Sequence, residues 1–479
     1  MDFKNKNPIK SVAIIGAGAA GAVTAAAFEA EKYYENIRVF ERRETPGGTW
    51  IYDSSPSPQP PLQPGALAPE IDPPLTPPDN LPQTTPPNKQ YRYFETPIYN
   101  SLTTNVPDIA MSFSDSRFSY GPFAPHHIPR QYIETYFSTH KTDPYLILNT
   151  TLELLTKTSS GGWKLTLRTH SPLLQTDKWY TQTFDAVILA TGHYSIPFIP
   201  FVPGLSTFPR HTQHSKTYRS PIPYKSKRVL IIGNSASGHD ISQELVSTAL
   251  LPVYVSRRSP SRWDGDSPPK GIEWKPTVKE YFSSGRIVFS DDTYLDDIDH
   301  VIYCTGYQVS FPFWDSSKNG KELWDYKTGR LTGNYQHTFL GDFPTLAAVG
   351  MPRVLTFRSF EYQAVALARY WAGRNAVPLP GVKEQEKWEL SRAEERRRER
   401  RNFHDIAWDD GETEEWLGWL FRFAGLGTLR GEGRIPPVLS EEVIWAVENL
   451  KKYPEPGNDN GKEESLEEEE DWVVVERKG

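Results

Sequence analysis

SVAIIGAGAAG, residues 11 to 21, runs from an apolar β-strand through three spaced glycines into an alanine-rich helix read from about Ala19 to Lys32. The strand NIRVFER follows at 36 to 42, so the chain opens on a βαβ unit. In such a unit Gly16 permits the tight turn, Gly18 lets the backbone approach a pyrophosphate, and Gly21 lets helix and strand pack closely. The helix N-terminus then faces the phosphates. Glu41 closes the second strand, 20 residues past Gly21, where a carboxylate accepts hydrogen bonds from ribose hydroxyls and repels a 2′-phosphate. The stretch predicts an α/β fold built on a Rossmann-like unit that takes an unphosphorylated adenosine.

A second unit of the same kind begins at KRVLIIGNSASG, residues 227 to 238, with a helix read from about Gly238 to Thr248 and the strand PVYVSRR at 252 to 258. Gly233, Ser235, Ser237 and Gly238 form its phosphate loop, and Ser235 stands where the first loop has Gly18. At the strand end there is no acid but Ser256, Arg257 and Arg258, the first arginine 19 residues after Gly238. Cations at that position suit a 2′-phosphate, so this unit is expected to take NADP(H). Two dinucleotide sites in one chain imply electron transfer from a nicotinamide to a flavin. Disulfide reductases need a redox cysteine pair, and the chain has only Cys304, which excludes them.

The rest of the composition narrows the partners. Of a net charge of -7, residues 460 to 479 carry eight acids against three bases, so the remainder is nearly neutral and gives no argument for nucleic acid. No metal site is expected from a single cysteine. No run of about 18 apolar residues occurs, and the N-terminus lacks an apolar leader, so the expectation is a soluble, cytoplasmic protein. Residues 53 to 90, with 13 prolines between Pro56 and Pro87, read as an exposed polyproline-like insertion. SRAEERRRERR at 391 to 401 reads as a solvated helix face, WLGWLFRF at 416 to 423 as core packing, and the acidic end as disordered.

Further motifs, in order, are FERRETPGGTW from Phe40, YNSLTTNVPDIAMSFSD from Tyr99, LATGHYSIPFIPFVPG from Leu189, FPRHTQHSKTY from Phe208 to Tyr218 and VIYCTGY from Val301. With the two glycine loops they resemble the flavin-containing monooxygenases, class B flavoprotein monooxygenases, over about residues 11 to 52 and 91 to 375. The resemblance is greatest to the soluble thiol-oxidising branch. It implies FAD held by Gly16, Gly18, Gly21, Glu41, Gly48, Thr49, Trp50, Thr104, Asn105, Thr191, Gly192 and Gln363. It implies NADPH held by Gly233, Ser235, Ser237, Gly238, Arg257 and Arg258, with His214 of the fingerprint organising the bound nucleotide. Asn105 is the expected catalytic residue.

The implied chemistry uses NADPH and O2 to oxygenate a small soft nucleophile, thiol, thioether or amine, through a C4a-hydroperoxyflavin. The implied architecture is two Rossmann-like domains: FAD-binding residues 1–218 and 301–450, an NADP domain at 219–300 inserted between them, and an acidic tail at 451–479. Arg210 occupies the fingerprint's third position, where the family has glycine, which predicts a turn built differently. Tyr218 is followed by Arg219, not the tryptophan-proline pair of Baeyer-Villiger relatives. A ketone-oxidising enzyme, a biosynthetic N-oxygenase and a non-catalytic binding protein stay open as alternatives, as does a homodimer.

Overall fold

In a parallel sheet buried on both faces, alternate residues of one strand feed two different cores, and Ser11–Ile15 does this. Val12 and Ile14 pack with the helices Ala19–Ala30, His127–Thr139 and Phe357–Trp371, whereas Ala13 and Ile15 pack with Leu155, Trp163 and Leu165 of an antiparallel sheet. The computed structural model describes residues 8–58, 60–261, 264–425, 432–435 and 438–453. Ser11–Ile15 lies parallel between Asn36–Phe40 and Ala186–Leu189 in a seven-stranded sheet. Beyond Ala186–Leu189 come Leu346–Ala348, Phe339–Leu340 and Asn334–Tyr335; Leu146–Ile147 forms the other edge. Small alanine side chains leave the first helix buried along most of its length, and Phe28 meets Trp371 edge-on at 5.9 Å.

The second sheet has five parallel strands in the order His211–His214, His300–Tyr303, Val229–Ile232, Val253–Ser256, Ile272–Lys275. Val229 and Ile231 face the helix Ala236–Leu245, and Leu230 faces the opposite core with Tyr281 and Phe289. This sheet reaches outside 219–300 at both ends, because the fingerprint strand His211–His214 joins its edge and His300–Tyr303 runs past 300. The chain changes sheets after Ala186–Leu189 and again after His300–Tyr303. There Ile196–Pro197 and Tyr307–Gln308 pair antiparallel, Tyr307 opposite Pro197 and Gln308 opposite Ile196.

The proline-rich stretch differs from the exposed insertion expected for 53–90. Gln83–Thr85 pairs antiparallel with Thr176–Phe184, extending the sheet of Thr150–Lys157 and Trp163–Ser171, and Ala68 is buried. Prolines lack N–H donors, and side chains from outside the stretch or at its end supply them. Gln308 bridges Ala66 O and Ala68 N, both at 3.0 Å. Gln90 and Arg92 both donate to Pro73 O, and Arg92 pairs with buried Asp72 at 3.3 Å.

Arg210 does not take the left-handed conformation, so the fingerprint turn is built without the positive φ that a glycine permits. Trp416, Leu417, Leu420 and Phe423 of the helix Glu412–Ala424 are buried. The arginine-rich helix Val382–Glu399 is more than a solvated face: Arg396 is buried and pairs with Glu399 and Glu412. The acidic tail from 454 onward lies outside the described residues. No helix among the described residues is long and apolar enough to cross a membrane.

Candidate functional site

A cavity of about 380 Å³ opens at the end of the first sheet, and its wall includes Gly16, Gly18, Glu41, Gly48, Thr49, Trp50, Asn105, Thr191 and Gly192. Gly16 has φ 110°, and a Cβ there would stand 2.5 Å from Ala190 O. A Cβ on Gly21 would meet Gly16 O at 1.9 Å, so strand and helix approach as closely as glycine permits. The segment Gly48–Trp50 crosses over the loop: Gly47 N donates to Ala17 O at 3.0 Å, and a Cβ on Gly48 would lie 2.7 Å from Gly18 Cα. Glu41 is buried. Its Oε2 accepts from Ala17 N at 2.8 Å and its Oε1 from Arg43 N at 2.9 Å, which leaves a lone pair on each oxygen for ribose hydroxyls.

Three polar atoms on this wall are buried with no hydrogen-bond partner among the described residues: Thr191 Oγ1, Thr356 Oγ1 and His193 Nδ1. Such atoms are costly unless a ligand meets them. Leu355 and Thr356 have φ 42° and 37°, immediately before the helix Phe357–Trp371, a strain on the order of 1–3 kcal/mol each that persists where surroundings enforce it. The helix N-terminus and these orphaned groups therefore face one space with the glycine cradle. The set fits FAD: amides and glycines for the pyrophosphate, Glu41 for the ribose, and a helix N-terminus with unpaired hydroxyls for a ring that gains negative charge on reduction.

Asn105 is exposed on this wall, and its carboxamide has no hydrogen bond among the described residues. The loop that carries it is fixed. Thr104 N donates to Ala124 O at 2.9 Å, and Thr104 Oγ1 accepts from Ala124 N at 3.0 Å. Thr104 is buried and spends its hydroxyl on this loop, off the cavity wall. Gln363 is likewise no direct contact. Its Oε1 accepts from Gly350 N at 3.0 Å, and its Nε2 donates to His337 O and Thr338 Oγ1, so it acts through Gly350, which does line the cavity.

In the second unit Gly233 has φ 105°, and a Cβ there would stand 2.7 Å from Cys304 O; on Gly238 it would stand 2.0 Å from Gly233 O. Ser235 precedes the helix as its N-cap, and its exposed side chain makes no capping bond. It remains available to a phosphate, as does Ser237 one position into the helix. Arg257 lies 3.4 Å from the Trp274 ring centre and pairs with Asp264 at 2.9 Å. Burial opposes ionisation of Asp264, but Ser261 N, Arg257 and Asn234 together outweigh it and hold the carboxyl below its ordinary range. Arg258 is exposed.

His214 is 1% exposed, and both ring nitrogens are used. Nδ1 accepts from Lys216 N at 3.0 Å, so Nε2 carries the proton and donates to Gly306 O at 2.9 Å. Burial lowers its pKa to about 3. It is a neutral pin between the fingerprint and the second crossover and has no polar atom left for a nucleotide. Sequence reasoning also missed Gly350, Thr356, His193 and Asp264, since each gains its role from a segment distant in the chain or from a loop with no regular pattern.

Two glycine cradles, an acid at one adenosine end and arginines at the other define a two-dinucleotide oxidoreductase. The chain matches the family described as Flavin-binding monooxygenase-like over residues 90–263 and 270–407, more than half its length, and an NAD(P)-binding Rossmann-like domain over 14–66. It belongs to the flavin-binding monooxygenase-like family and is a flavin monooxygenase with FAD and NADPH as cofactors. It is 29% identical to Flavin-containing monooxygenase FMO GS-OX3 of Arabidopsis thaliana over 78% of this chain and 76% of that one. It is 30% identical to Flavin-containing monooxygenase FMO GS-OX-like 9 of the same plant over 83% and 84%. The solved S-allyl-L-cysteine S-oxygenase of Allium sativum superposes with TM-score 0.73 at 24% identity, covering 91% of each chain.

Proposed function

We propose that the protein oxygenates a soft nucleophile, thiol or thioether sulfur before amine nitrogen, with Asn105 as the residue that governs the oxygen-transfer step. The observation that carries this reading is the Asn105 carboxamide, held on a fixed loop at the flavin cavity and bonded to nothing among the described residues. An amide so placed can donate and accept at once. Bound FAD supplies the redox chemistry, taking electrons from NADPH and activating O2. The protein needs no nucleophile of its own: Cys304 is buried and its thiol is pushed up to about 12 by burial, partly offset by a hydrogen bond with Ser215.

In this reading Gly16, Gly18, Gly48 and Thr191 hold the pyrophosphate side, and Glu41 orients the ribose. Ser235, Ser237, Arg257 and Arg258 hold the second nucleotide. Trp50 and Phe357, edge-on with ring centres 6.4 Å apart, exclude water from the flavin end. The S-oxygenase named for the garlic structure supports sulfur as the first acceptor class.

One feature favours heteroatom over ketone chemistry. The Arg219 guanidinium donates to Asp53 O, Lys216 O and Thr96 O, tying the fingerprint to the cavity rim at a place where Baeyer-Villiger relatives have proline. Supplied with NADPH, the enzyme is expected to convert a thioether to its sulfoxide and leave a cyclic ketone unchanged; lactone as the main product would overturn the assignment. In rapid mixing of NADPH-reduced enzyme with O2 and no acceptor, oxygen uptake should precede the return of oxidised flavin. Immediate return with stoichiometric peroxide would remove the oxygenase reading.

A further inference from the structure

Two carboxylates on the helix that follows the second phosphate loop, Ala236–Leu245, are spent on segments far from it in the chain. Asp240 lies five residues past the N-cap Ser235, and Glu244 follows four residues later on the same helix face. The Asp240 carboxylate accepts from the Tyr99 hydroxyl, from the Tyr453 hydroxyl and from Lys452 Nζ at 3.2 Å. Lys452 Nζ also donates to Thr103 O at 3.4 Å, two residues before Asn105. Glu244 accepts from Ser101 Oγ at 3.0 Å and from the hydroxyl of the fingerprint's Tyr218 at 2.7 Å. The segment that carries Asn105 is thus tied to one helix at Tyr99, at Ser101 and, through Lys452, at Thr103.

The Asp240 and Lys452 side chains are only 13% and 16% exposed, and Tyr99 is buried, so these charge-assisted bonds are stronger than surface pairs. Burial foremost, then the Asp240 charge, pushes the Tyr99 phenol above its ordinary range and keeps it a donor. The helix Glu441–Asn449, packed on Asp108–Met111 just past Asn105, brings Lys452 and Tyr453 to this point. We infer that Asp240 and Glu244 are positioning residues that fix the Asn105 loop to the helix whose N-terminus receives the nucleotide phosphates, so that nucleotide binding also steadies Asn105. A ligand that restrains the helix restrains what the helix holds, and by reciprocity the state of the loop alters nucleotide affinity. The inference rests on the oxygenation reading above for what Asn105 does and adds which residues place it.

The test uses the full-length FAD-loaded enzyme with oxidised NADP as the probe and reads amide hydrogen exchange over residues 99–105, where the Asn100, Leu102 and Thr104 amides carry backbone bonds. In the parent enzyme NADP should slow this exchange at least about fivefold. Two variants are compared: Tyr99→Phe, which keeps the edge-on ring contact with Tyr218 at 5.7 Å, and Asp240→Asn with Glu244→Gln. In both, the slowing should shrink to less than about twofold while NADP still protects the phosphate loop. Both should also form about tenfold less sulfoxide per NADPH consumed, and neither should lose more once Asn105→Ala is added. No response at 99–105 in the parent, an unchanged response in both variants, or losses that add to that of Asn105→Ala would overturn the inference and leave the oxygenation reading standing. The expected exchange pattern together with full sulfoxide yield in Asn105→Ala would keep the tie and remove the role given to Asn105.

Discussion

In the proposed reading Asn105 and Glu41 have opposite tasks with similar atoms. Glu41 is buried and already half committed to backbone amides, which suits a static ribose contact; Asn105 is uncommitted, which suits a group that must donate and accept as charge moves. Replacing Asn105 with Ala is expected to lower sulfoxide formation about 100-fold, the scale of one lost oxyanion-type donor, with peroxide release rising in its place. Flavin reduction by NADPH should change by no more than about twofold, since that step does not use the carboxamide; an equal loss in both half-reactions would count against the role. Arg257→Ala with Arg258→Ala should weaken NADPH about 100-fold and NADH only slightly, as two charge-assisted contacts to a 2′-phosphate would. Equal weakening in fluorescence titration would sink that assignment. Glu41, Arg257 and Arg258 were legible because a local rule demands each of them at a fixed offset from a glycine loop, whereas Asn105 came from the family resemblance alone. Asp264 was not legible, because it reaches Arg257 and Asn234 from an irregular loop.

Among the elements, the two glycine loops differ because of what lies above them. A Cβ on Gly18 would press on Gly48 Cα at 3.3 Å, whereas Ser235 is exposed. Gly48→Ala should therefore yield enzyme that loses most of its FAD on gel filtration, and Ser235→Gly should cost little beyond affinity for NADPH. Yellow, fully loaded Gly48→Ala protein would disprove the close-approach argument. The βαβ units could be read from periodicity, but the proline-rich stretch could not. Its composition shows too little apolar area to fold alone, and the donors that dock it, from Gln90, Arg92 and Gln308, leave no mark in its own pattern. Asp72→Ala would leave buried Arg92 with the bond to Pro73 O and, as its charge partner, the more distant Glu153 at 3.7 Å. A loss of about 3 kcal/mol in urea unfolding is expected.

For the whole molecule, the buried histidines set the acid limit. His193 and His214 are both lowered to about 3, by burial foremost and then by Arg353 and Lys216 respectively; His337 and His404 are held well below their ordinary value, again by burial. Between about pH 6.5 and 3 the unfolded chain binds protons that the folded chain refuses, so stability rises with pH across that window and is lost as pH falls through it. Across that window His193 and His214 each contribute about 1.4 kcal/mol per pH unit. The melting temperature should drop steeply below pH 6, and less steeply in His214→Gln; identical slopes would refute the linkage. The antiparallel pairing of Ile196–Pro197 with Tyr307–Gln308, pinned by His214 on Gly306 O, makes the two crossings one joint: the chain leaves the flavin sheet and returns to it through a single paired element.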